Sequence, residues 1–389
     1  MTSWITSFLF LALATAAQAQ QKPIVVGAVV SQSGIHADLA AGYAKGIQLW
    51  EAQANASGGL LGRPVELKIV DDGSDAVRAG DLYKELIRDA KADLLIGPYG
   101  SAATYAAAGE TQRERRVLVN GAGPSRVIQQ GSNRLLFQTC SGNAQRGEGV
   151  LQVARKAGLK RLYILARQEL AAQEIAEAMR VNAVAQGFVV PEIELFSPYT
   201  LDFTEYVKRA HAAEAQGFIV FGEVRDAADM VKTFRKHGYA PQLFFARRAG
   251  DPAFIKAVGQ DAEFTLTEVE YDPRLPRPGN PEFVKAYGAK WSAQPDLAAA
   301  EGYTAASVLA EAVRRAGSLD PEKLRAALAA LRMETPLGTY RAGANGEQLG
   351  IVPAVAQIQR GKLQLVWPDN LQSTQPQPYL PWKERQLIQ

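Results

Sequence analysis

The chain is poor in the residue types that carry most covalent and metal chemistry. It has one cysteine and three histidines in 389 residues. Cys140 has no second thiol to pair with, which excludes an internal disulfide scaffold. It lies in the strand-like run RLLFQTCSG and reads as a buried bystander. His36, His211 and His237 are far apart on different elements, and with a single cysteine they leave no zinc-binding spacing. No G-x-S-x-G occurs, so the nucleophile-elbow signal is missing. GGLLG (58–62) lacks the Lys-Ser/Thr of a phosphate-binding loop and joins a helix to a strand, so it is a turn. The net charge of +3 is spread thinly, without a dense Lys/Arg block or aromatic interleaving, which argues against nucleic acid as a partner. No long apolar run follows residue 19.

The first 19 residues read as a secretory signal peptide. ITSFLFLALATAAQA (5–19) is an apolar core running into small residues, and Ala17-Gln18-Ala19 is an A-x-A cleavage site, placing the cut after Ala19. The region before the core has no Lys or Arg, unlike most such peptides. The expected product is a freely diffusing periplasmic protein of about two domains.

Strand-like and helix-like runs then alternate. PIVVGAVV (23–30) is a continuous apolar, β-branched run, 37–56 reads as a helix, and VELKIVDD (65–72) is the next strand. Leu82, Leu86 and Ala90 share one helical face in 76–92. Strand 93–97, helix 101–114 and strand 117–119 follow. After about residue 143 the pattern repeats: helix 144–158, strand 161–165, helix 171–186, strand 188–190, helix 203–215, strand 217–221, helix 225–238 and strand 242–246. This β-α order predicts an α/β fold with two Rossmann-like, mostly parallel sheets covered by helices. YDPRLPRPGNP (271–281) is a Pro-rich connector. Helices 281–292, 297–317 and 321–332 come next, and 352–368 reads as an antiparallel hairpin around an Arg-Gly turn.

Several separated motifs resemble one family. GAVVSQSG, GIQLWEAQANASGGLLGRPVELKIVDDGSD, LLIGPYGSAAT, DFTEYVKRAHAAEAQGFIVFG, MVKTFRKHGY and EGYTAASVLAEAVRRAG occur in the order found in the periplasmic leucine/isoleucine/valine-binding proteins, the type I solute-binding subunits of branched-chain-type ABC importers. The resemblance covers nearly the whole mature chain. It implies two α/β lobes joined by three crossovers near 142, 271 and 337. One lobe then combines 22–142 with 272–336, and the other combines 143–271 with 337–389. It also implies a usually monomeric, non-enzymatic receptor without a cofactor, which closes on its ligand by hinge motion and serves membrane permease subunits. Composition alone suggests two sequential domains instead.

The turn GPYGSAAT (97–104) places small polar residues where a strand hands over to a helix. Helix starts carry unpaired N–H groups and a positive dipole end, and they attract anions. The resemblance implies that Ser101 binds a ligand carboxylate, with Gly100 allowing close approach, Thr104 nearby and Tyr99 forming a wall. Ser101 read alone is equally an N-cap for its own helix. The second clamp segment matches VLVNGAGPSRV (117–127), where Gly123 replaces the usual threonine. The amides of Ala122 and Gly123, with Ser125, are the substitutes there. His36 falls in the loop after the first strand, which faces the cleft in the family, and Tyr271 falls at the second crossover.

In the other lobe the expected polar contacts change. Arg247, with Arg248 beside it, stands where amino-acid binders hold the ligand ammonium with an acid. Ala171 replaces a tyrosine, and Glu223 replaces an aromatic residue. Two ligand readings are open. In the favoured one the ligand is an aromatic or aliphatic carboxylate, or a dicarboxylate, and Arg247 clamps an anion bidentately. In the other it is an amino acid whose ammonium goes to Glu223. A sensory binding protein of the same fold is a rival role. An exported hydrolase lacks any nucleophile-base pair, and Asp71-Asp72 at the end of a strand reads as a loop anchor.

Overall fold

The computed structural model describes residues 22–385, so the signal-peptide reading of 1–19 lies outside the described residues. The first sheet contains β1 (Ile24–Val29), β2 (Val65–Val70), β3 (Leu94–Ile96), β4 (Leu118–Asn120) and β5 (Leu136–Gln138), in the order β2-β1-β3-β4-β5. Every pairing in it is parallel. Each residue of β1 is buried, as a strand covered on both faces requires. One cover is α2 (Ala76–Arg88) with α3 (Ser101–Arg113). On the other face lies α1 (Ala37–Ala56), packed with a helix from far along the chain, α10 (Leu297–Ala316).

The second sheet contains β6 (Leu162–Arg167), β7 (Glu194–Phe196), β8 (Gly217–Phe221), β9 (Leu243–Ala246) and β10 (Leu266–Val269) as its parallel part. The hairpin that follows the short strands β11 (Arg332–Thr335) and β12 (Gly338–Arg341) adds β13 (Ala354–Gln359) and β14 (Lys362–Trp367) antiparallel at its edge. Arg360 and Gly361 both have positive φ, the conformation a tight two-residue hairpin turn needs.

The chain therefore returns to the first lobe after building most of the second. The lobes are interleaved and not sequential. The last return falls later than the expected 337. Tyr340 on β12 is buried among Leu328 and Leu331, Gln138 N–H donates to Gly346 O at 2.8 Å, and Ile351 packs with Leu49 and Phe283. Residues 338–351 thus cover the first lobe because their apolar side chains find partners there. A second difference lies at 188–190. Only Val189 bridges to Arg161, and the edge strand forms at Glu194–Phe196. Pro191 has no N–H to continue the ladder, so the strand restarts beyond it.

The α1–α10 contact is closer than side chains normally allow. A Cβ on Gly46 would strike Ala299 O, and one on Gly302 would strike Tyr43 O. Gly109 on α3 has nothing within 4 Å of the corresponding position. Gly46→Ala is expected to destabilise the protein by about 1–3 kcal/mol through overpacking. Gly109→Ala should stabilise it by about 0.5–1 kcal/mol by relieving backbone entropy. Urea unfolding of both variants checks the opposite signs.

Candidate functional site

The carboxyl ends of the first sheet's strands carry the residues singled out in GPYGSAAT. Gly100, with φ +93°, is the N-cap of α3, so Ser101 is the first helical residue and not the cap. The Ser101 hydroxyl makes no capping bond. It accepts from the Ser125 amide at 3.2 Å. Among the described residues, the amides of Ser101, Ala102 and Ala103 find no backbone acceptor. Thr104 is fully buried, and its hydroxyl donates to Gly100 O at 2.7 Å, so it shapes the turn. Tyr99 bridges to Ala122 and packs edge-on against Tyr43.

The neighbouring segment is more self-contained than the sequence suggested. The side-chain oxygen of Asn120 accepts from the amides of Ala122 at 3.2 Å and Gly123 at 2.8 Å. Both donors are thus already used. The Ser125 hydroxyl donates to Glu174 at 2.7 Å, and Asn143 Nδ2 donates to the other oxygen of Glu174 at 2.7 Å. Glu174 lies on α5 (Leu170–Ala185) of the second lobe, so this pair of bonds spans the two lobes. The ends of the β3 and β4 strands therefore face the second lobe.

The second lobe meets them with charge. Arg146 is 4% exposed and donates to Glu268 at 3.1 Å and, bidentately, to Glu270. Arg247 Nε donates to the same Glu268 at 2.9 Å. Burial works against the charge on Arg146, but Glu270 and Glu268 outweigh it and raise its pKa. Arg247 is therefore not a lone cation, since part of its guanidinium is held by Glu268. Beside this cluster a cavity of about 630 Å³ is lined by Arg247, Arg248, Glu268, Glu270 and Tyr271, with Leu297 and Leu365 among its apolar walls. Glu268 Oε2 and the Tyr271 hydroxyl are buried there without a partner. Glu223 is the N-cap of α7 (Val224–His237), shares a capping box with Asp226 and lies 3.5 Å from Arg248.

The predicted residues thus fall into two groups. Tyr99, Gly100, Ser101 and Ser125 gather at the α3 turn, while Arg247 and Tyr271 line the cavity of the second lobe. His36 stands apart. It is exposed at the start of α1, where its backbone amide donates to Ser74 Oγ at 3.0 Å and its carbonyl accepts from the Ala40 amide at 2.9 Å. Asp71 and Asp72 anchor the loops on that side: Asp71 accepts from the Gln32, Ser33 and Gly73 amides and the Ser33 hydroxyl, and Asp72 accepts from Ser31 and Ser74. Four polar residues escaped the sequence reading: Arg146, Glu174, Glu268 and Glu301. Glu301 is 8% exposed on α10. Burial holds its carboxyl well above the ordinary carboxylate range, Glu270 and Asp296 add to the shift, and Arg146 opposes it. Tyr99 is pushed up to about 12 by burial and then by Glu301, Asp296 and Glu270. No group of three or more His, Cys, Asp or Glu side chains suited to a metal occurs among the described residues.

With this geometry in view, the comparisons are consistent. Residues 23–362 match the family described as "Periplasmic binding protein", and the chain belongs to that family. A leucine-, isoleucine-, valine-, threonine- and alanine-binding protein of Pseudomonas aeruginosa is 23% identical over 74% of this chain and 76% of its own length. The leucine-binding protein LivK of Thermotoga maritima has a similar fold, with a TM-score of 0.68, 22% identity, and coverage of 90% of this chain and all of that one. A solute-binding protein of R. palustris, solved with benzoate, gives a TM-score of 0.64 at 21% identity, covering 92% and 97%. The family to which the chain belongs is made up of periplasmic substrate-binding proteins and not of enzymes. No helix among the described residues is long and apolar enough to cross a membrane.

Two outcomes are expected. Arg146→Ala leaves Glu270 without its counter-charge and Glu268 with Arg247 alone, and should cost about 3–5 kcal/mol in denaturant unfolding. Glu301 stays protonated in the folded state at pH values where the unfolded chain, near its ordinary 4.5, has lost the proton. Its contribution is therefore full below about pH 4 and declines as pH rises. Glu301→Gln should melt higher than the parent at about pH 8, and the difference should vanish near pH 4.

Proposed function

We propose that this protein captures a small carboxylate-bearing solute between its lobes and delivers it to membrane permease subunits, acting as a monomer in the periplasm. The observation that carries the reading is the α3 turn. Three successive amides without backbone acceptors, the half-buried Ser101 hydroxyl and an open Gly100 face the second lobe. That set of donors matches a carboxylate, and the helix dipole adds to it. Tyr99 supplies an aromatic wall beside it. Closure of the lobes sequesters the ligand, and the ligand draws the population toward the closed form.

The choice between an ammonium-free acid and an amino acid turned, in the sequence, on Arg247. Paired with Glu268 at 2.9 Å, Arg247 has its charge largely answered and does not bar an ammonium group. The relatives span both classes, since one is named for amino acids and another was solved with benzoate.

Ser101→Ala should weaken binding of the tightest carboxylate by about 1–2 kcal/mol, the loss of one charge-assisted hydrogen bond. A thermal-shift panel of amino acids, aromatic acids, keto acids and dicarboxylates finds that ligand, because binding to the folded state raises the melting temperature. Titration calorimetry then compares the variant. An unchanged dissociation constant removes Ser101 from the site.

A further inference from the structure

Glu174 is a half-buried carboxylate on α5 that makes no ion pair among the described residues. Its two oxygens go to neutral donors outside its own lobe. Oε1 accepts from the Ser125 hydroxyl and Oε2 from Asn143 Nδ2, both at 2.7 Å. Both donors belong to buried residues, Ser125 on the turn after β4 and Asn143 at the first passage between the lobes. They are joined to each other, because the Asn143 amide donates to Pro124 O at 3.0 Å. On its other side the same turn is held by Asn120 and Gln138, whose side-chain amides donate to Gly123 O at 2.8 Å and 3.1 Å. A charged acceptor makes the stronger kind of hydrogen bond, so Glu174 fixes the 123–125 turn against the second lobe.

That turn reaches the start of α3. The Ser125 amide donates to Ser101 Oγ at 3.2 Å. A hydroxyl has one proton and two lone pairs. An N–H aimed at its oxygen occupies a lone pair and turns the proton away from itself. Among the described residues the Ser101 O–H has no acceptor, so it is presented as a free donor.

We propose that Glu174 is a positioning residue for ligand capture: it fixes Ser125, and through the Ser125 amide it orients the Ser101 hydroxyl toward the ligand carboxylate. The inference rests on the reading that the α3 turn takes that carboxylate. Glu174 itself does not touch the ligand. A donor set built wholly from the first lobe thus depends on a side chain of the second. Asn143 lies at the joint about which the lobes turn, where closure moves groups least, so the link holds as the cleft shuts.

The test is a double-mutant cycle on the full mature protein, read by titration calorimetry. Leucine, benzoate, 4-methyl-2-oxopentanoate and succinate represent the classes of acid, and the tightest binder of the four is the probe. Glu174→Ala should raise its dissociation constant by roughly 3- to 10-fold. The Ser101→Ala/Glu174→Ala double variant should bind no more weakly than Ser101→Ala alone, because the relay has nothing left to orient. Glu174→Gln keeps an oxygen for Ser125 and should recover most of the affinity. If Glu174→Ala does not fold, Ser125→Ala removes the same link while keeping the amide and takes its place in the cycle. An unchanged dissociation constant in Glu174→Ala overturns the proposal. So do additive effects in the double variant, which would place Glu174 on a route that bypasses Ser101. In both cases a weakened Ser101→Ala leaves the α3 site standing. If Ser101→Ala binds like the parent, or none of the four acids binds, both readings fail.

Discussion

The cleft depends on one cluster of buried charges. Arg146 follows the first passage between the lobes, and Glu268 and Glu270 precede the second, so their ion pairs fasten two passages to each other. Arg277 extends the fastening: it is buried, donates to Glu270 O at 3.3 Å and also to Leu337 O, and so reaches the segment that leads to the third. Burial lowers its pKa to about 10, which still leaves it charged at neutral pH. Buried ion pairs add little net stability because desolvation offsets their attraction. What they impose is geometry, since a guanidinium satisfies two carboxylates only in a narrow range of positions. At this joint that geometry sets where one lobe sits against the other.

The division of labour in the cleft follows from the same arrangement. The first lobe presents neutral donors, the amides and hydroxyl at the start of α3. The second presents paired charge at Arg247, Glu268 and Glu270. Glu174 ties the Ser125 loop to α5 without occupying the α3 amides, so the carboxylate donors stay open while the lobes touch beside them.

Much of the fold was legible because central parallel strands are fully buried and read as unbroken apolar runs, as at Ile24–Val29 and Gly217–Phe221. The hairpin was legible from Arg360-Gly361. Strand β10 was not, because LTEV mixes two exposed-looking polar residues into four, and their partners, Arg247 for Thr267 and both Arg247 and Arg146 for Glu268, are distant in sequence. That omission hid Glu268, the partner of Arg247, whose position depends on β9 and β10 lying side by side. The Asn120 turn had a signal that went unused: Asn followed by Gly-Ala-Gly favours a side chain that bonds amides two and three residues on. Glu301 gave none. On a helix with an apolar stripe, a glutamate reads as solvated, and only the tertiary fold reveals it as buried.

The most direct measurement is a crystal structure of the protein with the tightest ligand from the panel. The account predicts ligand carboxylate oxygens within hydrogen-bond distance of the Ser101 hydroxyl and the first amides of α3, with the lobes closed over them. A ligand seated wholly in the cavity beside Arg247 and Tyr271, with the α3 turn untouched, would contradict it.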